Sequence, residues 1–102
     1  MTAQSDAAAF LASLDGAAPP AGLTPALRAV WYGLADRWDE AHGIVQEHEG
    51  RPDADWVHAW LHRVEGDLGN AGYWYRRAGR QVAQGDLAAE GRAIAASLIS
   101  QA

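Results

Sequence analysis

The chain contains neither cysteine nor lysine, and it has no long apolar run. Without cysteine there are no disulfides, no thiolate metal sites and no cysteine nucleophile. Valine and isoleucine are sparse and no segment alternates with period two, so no sheet is expected. No stretch approaches membrane-spanning length, and the N-terminus lacks the basic start and apolar block of a secretion signal. The expectation is therefore a soluble, cytoplasmic chain with no membrane partner. All eight basic residues are arginine against 13 acidic ones, giving a net charge of −5. That balance argues against general affinity for nucleic acid. Ser5, Ser13, Ser97 and Ser100 lie near the termini without a glycine-flanked elbow. Gly66, Gly69 and Gly72 have no preceding strand and no following Lys-Ser pair. Neither a serine nucleophile nor a phosphate loop is indicated.

What the 102 residues do contain is helix-forming sequence, rich in alanine and carrying five tryptophans. The length suits one domain, and the tryptophans supply large areas to bury. Residues 1–15 read as an N-terminal helix and 16–23, with Pro19 and Pro20, as a stiff linker. Thr24-Pro25 is a helix start, with a hydroxyl for free N–H groups and a proline where none is missed. Further helices are expected over 24–35, 38–48, 53–65 and 68–78, with Asp53 capping the fourth. A last helix over 86–102 starts at Asp86. The fold class is all-α with about six helices.

The middle of the chain nearly repeats itself. Ala29 and Ala41 recur thirty positions on as Ala59 and Ala71, and Asp36 is matched by Gly66. A fixed period of this size signals stacked helical hairpins. The pattern Gly66-Asp67-Leu68-x-x-Ala71-x-x-x-Tyr75-x-x-Ala78 resembles the tetratricopeptide repeat and its Sel1-like relatives. The first copy departs from it, with Asp36 for the turn glycine, Val45 for Tyr75 and His48 for Ala78. The stretch 31–80 is also similar to small uncharacterised bacterial and fungal proteins, which implies no activity. The tetratricopeptide resemblance implies two antiparallel hairpins over 24–80 and a role as an interaction or scaffold module for a protein or peptide. It also implies that first-helix residues line a concave groove. Members that clamp a C-terminal carboxylate use Lys and Asn there. Ala26, Val30, Trp56 and Trp60 stand at those places in this chain, so that clamp is not expected.

Two surfaces could carry function. Trp56, Trp60 and Arg63 follow i, i+4, i+7 on the fourth helix, and an aromatic face beside a guanidinium suits an aromatic, proline or carboxylate group. Tyr73, Arg77 and Arg80 extend this as the one local basic patch. The opposing reading is that a terminal helix fills the groove and makes the tryptophans core, since so short a chain has few other places to bury them. The second surface is Asp55, His58, His62 and Glu65, spaced three, four and three and so on one helical face. Two histidines four apart can hold one metal ion, with His42 as a further ligand and His48 as another candidate. No cofactor signature is otherwise present; a divalent metal such as zinc is the one these residues admit, for a metal-dependent or acid–base enzyme or a small-ligand binder. The Glu that a zinc-peptidase helix needs after its first His is absent, because Ala59 stands there. The opposing reading is a solvated polar face, with the histidines paired to Asp55 and Glu65. Self-association through an exposed repeat face is a further expectation.

Overall fold

Four of the helices begin where the sequence supplies a partner, or a proline, for the first turn. In the computed structural model, which describes residues 3–101 and side chains from Asp6 onward, the elements are α1 (Ala3–Ala12), a 3-10 turn (Ser13–Asp15), α2 (Pro25–Leu34), α3 (Trp38–Gln46), α4 (Pro52–Glu65), α5 (Leu68–Arg77) and α6 (Leu87–Ser100). The expected ends at residues 1, 2 and 102 lie outside the described residues. Thr24 Oγ1 accepts from the Leu27 N–H at 3.3 Å. Asp67 and Asp86 do the same for Asn70 and Ala89, at 3.2 and 2.8 Å. These bonds satisfy donors that a helix start leaves free. The fourth helix differs from expectation. It starts at Pro52 after Arg51, and Asp53 lies inside it, accepting instead from the Ala54 N–H at 2.7 Å. Proline's fixed φ already fits the first helical position, so no side-chain cap is required there.

The described residues are all-α. α2 with α3 and α4 with α5 form two hairpins, and α3 packs on α4 to join them. The turn of the second hairpin is Gly66 at φ 90°, and the matching turn of the first is Asp36 at φ 63°. Aspartate is among the few residues that visit this left-handed region, so one turn geometry serves both copies. α6 lies across α1, α2 and α4. The main core joins Phe10, Val30, Trp31, Val45, Val57, Trp60, Leu61 and Ile94. A smaller cluster inside the second hairpin holds Ala59, Ala71, Trp74 and Tyr75.

Trp60 is the bolt of this arrangement. Its side chain is 1% exposed. The indole N–H donates to the Leu87 carbonyl of α6 at 2.8 Å. Its ring fits against Gly33 of α2 and Gly91 of α6, where a Cβ would stand 2.5 and 2.4 Å from it. Two glycine notches thus let α4 push an indole between its neighbours. No described helix is long and apolar enough to cross a membrane.

Candidate metal centre

Pro52 and Gly66 set the bounds of a helix long enough to carry four chemical groups on one side. Of these, His58 and His62 are 2% and 5% exposed, so they do not form a solvated face. They turn toward α3, which contributes His42. His58 Nε2 and His42 Nε2 are 3.2 Å apart. The His42 ring centroid lies 4.9 Å from that of His58 and 5.1 Å from that of His62. One ligand nitrogen from each of the three falls within 4.8 Å of the others. Two nitrogens at bonding distance from a tetrahedral zinc are about 3.3 Å apart, so the His42–His58 pair already has that separation. His62 would need to draw in by no more than about 1.5 Å, a side-chain adjustment.

Tryptophans wall the cluster. Trp38, one turn before His42 on α3, stacks on it at 4.5 Å and 14°. Its indole N–H donates to the Leu61 carbonyl of α4 at 2.6 Å, which fixes the ring and ties α3 to α4. Trp74 of α5 stacks on His58 at 3.9 Å and 14°. All three helices therefore position the imidazoles. The roles of Trp38 and Trp74 were not read from the sequence. The i, i+4 spacing of Trp38 and His42 was the available signal for the first, whereas nothing local pointed Trp74 at His58.

Protonation follows from the same geometry. His62 Nδ1 lies 3.0 Å from Glu65 Oε1. A carboxylate only accepts, so Nδ1 carries the hydrogen, and Nε2 is the nitrogen left for a ligand role. Burial, reinforced by the adjacent His42 and His62, pushes His58 down to about 3. Burial first, then His62, lowers His42. Both therefore stay neutral at ordinary pH, the form that binds metal. His58 Nδ1 is buried with no hydrogen-bond partner among the described residues. A buried polar atom without a partner costs about 1–3 kcal/mol and calls for an explanation.

The remaining candidates are placed elsewhere. Asp55 is buried, but its Oδ1 accepts from the Gly50 N–H at 3.1 Å and pins the α3–α4 loop rather than pairing with His58. His48 turns to the Ile44 carbonyl at 2.9 Å, outside the cluster.

At the tryptophan groove, the structure takes the closed alternative. Trp60 is sealed by α6 as described. Arg63 donates to Glu90 Oε1 at 2.8 Å, and the Tyr75 hydroxyl donates to Glu90 Oε2. Burial and that bond hold the Tyr75 phenol well above its usual range. Glu90, unmarked by any sequence motif, is thus the residue of α6 that occupies the groove. The basic patch is divided. Arg77 donates to the Tyr73 hydroxyl at 3.0 Å and lies 5.3 Å from the Trp74 ring centre, while Arg80 stacks on Trp56 at 3.4 Å. Of the sequence candidates, His42, His58, His62 and Glu65 are brought together, whereas the peptide-groove residues are not left as one open surface. No protein-family profile matches the chain, and neither does any curated protein or solved structure.

Proposed function

We propose that this chain is a helical metal-binding module in which His42, His58 and His62 hold one divalent transition ion. The observation that carries the reading is the convergence of three imidazoles, two of them buried, from two helices onto one point. Imidazole donors suit zinc, copper, nickel or cobalt rather than magnesium or calcium. Glu65 would orient His62 through Nδ1, as carboxylates behind metal-bound histidines commonly do. The centre would also clip α3 to α4, joining the two hairpins. Three protein ligands leave a coordination position for water or another small donor.

Titrating the full chain with zinc, followed by tryptophan fluorescence and calorimetry, tests this. One equivalent is expected to bind at micromolar concentration or below, with a fluorescence change from Trp38 and Trp74, which stack on ligand rings. His58→Ala and His42→Ala should abolish it, and Glu65→Gln should weaken it by about tenfold or more. No response at micromolar zinc would overturn the assignment.

The hairpins over 24–80 also support a tetratricopeptide-like scaffold reading. For that role Trp60 and Arg63 are already committed to α6. What remains open of the groove is its end, at Trp56 and Arg80.

A further inference from the structure

The open end of the groove is a cleft of about 400 Å³ between the start of α4, the segment after α5 and the middle of α6. Tyr75 and Ile94 form its buried floor, while Trp56, Ala83 and Ala93 supply the apolar surface that is accessible, with Glu90 and Arg80 as its charged members. The two charges are in different states. Both Glu90 oxygens are engaged, one by Arg63 and one by Tyr75, so its charge is already compensated. The Arg80 guanidinium, by contrast, sits over the Trp56 indole with its central carbon 3.4 Å from the ring centre, and none of its N–H groups has an acceptor among the described residues. Stacking leaves the in-plane edge of a guanidinium free, and that edge matches a carboxylate with two parallel hydrogen bonds. Because the indole already holds the side chain, little further rotamer freedom is lost on binding.

We propose that this cleft is a binding site for a small organic carboxylate with a short apolar body. The carboxylate pairs with the edge of Arg80, and the body lies against Ala83, Ala93 and the uncovered edge of Trp56. A single arginine beside a mostly apolar wall favours a monocarboxylate over a phosphate, whose greater charge calls for more donors than this cleft offers. The site is separate from the histidine cluster, which faces α3, and it stands whether or not that cluster binds metal.

Benzoate is a suitable probe, titrated into the full chain and followed by amide and indole NMR shifts. Saturable shifts are expected at Trp56 and through residues 79–83. Arg80→Gln should weaken binding by about tenfold, the loss of one charge-assisted pair. Ala93→Phe, which fills the rim, should weaken it similarly. Thermal melts of both variants establish that they remain folded, and Arg92→Gln, elsewhere on α6, should bind as the parent does. Benzamide and inorganic phosphate should each bind at least about tenfold more weakly than benzoate. Absence of saturable shifts, undiminished binding by folded Arg80→Gln, or equal binding of phosphate or benzamide would each overturn the proposal. Zinc binding by Arg80→Gln should match the parent, which separates a failure here from a failure of the metal reading.

Discussion

At position 91 a single methyl group decides whether α6 can lie on α4. A Cβ there would stand 2.4 Å from Trp60 Cζ2 and 2.8 Å from Leu34 Cδ2. The indole cannot retreat, because Leu87 holds its N–H and Gly33 backs its other side. Alanine in a helix interior ordinarily gains about 1 kcal/mol over glycine, while overpacking a tight core costs about 1–3 kcal/mol. At Gly91 the clash should win, and at Gly43 of α3, which has nothing within 4 Å, propensity should win. Thermal melts by circular dichroism are therefore expected to place Gly91→Ala below the parent and Gly43→Ala above it. A rise for Gly91→Ala would mean that Trp60 is not wedged as described.

Element by element, α6 is attached to the hairpins by one polar cluster as well as by the indole. Arg63 and Glu90 are only 10% and 9% exposed as side chains, and Tyr75 completes the carboxylate's bonding. Removing one partner of a buried pair strands the other's charge and typically costs about 3–5 kcal/mol. Arg63→Ala should thus lose stability of that order in urea denaturation. Combining Arg63→Met and Glu90→Leu with Tyr75→Phe should recover most of it, since these apolar replacements leave neither a charge nor the Tyr75 hydroxyl unpaired. The hairpin turns use another device. Gly66 and Asp36 both adopt positive φ, and the repeat pattern already aligned them.

For the molecule as a whole, the buried imidazoles make folding sensitive to acid. His58 falls from an ordinary 6.5 to about 3 on folding, and His42 also falls. Between these values the unfolded chain binds more protons than the folded one, so stability rises with pH through that window and is fully present above about 6.5. The metal-free protein should show its urea midpoint falling steadily from pH 7 to pH 4. His58→Leu should flatten that fall, because the site loses a group that protonates only in the unfolded state. An unchanged slope in a folded His58→Leu would show that His58 is not held neutral. Carboxylates add a pH dependence of their own, which the comparison with the variant removes.

Much of this could be read along the chain. Helix starts at Thr24, Asp67 and Asp86 and the left-handed stop at Gly66 are local matters, settled by hydrogen bonds and sterics within a few residues. The spacing of His58, His62 and Glu65 on one face was likewise fixed by the helical repeat alone. The rest depended on how the helices met. Sequence spacing left two occupants for the groove beside Trp60, and only the docking of α6, through Gly91 and Glu90, chose between them. Nor could it place Trp74 on His58, or His42 within 3.2 Å of it, since those contacts link α3, α4 and α5. Periodicity determines which residues share a helix face, but which faces meet is decided by packing between distant parts of the chain, and there three separate imidazoles become one site.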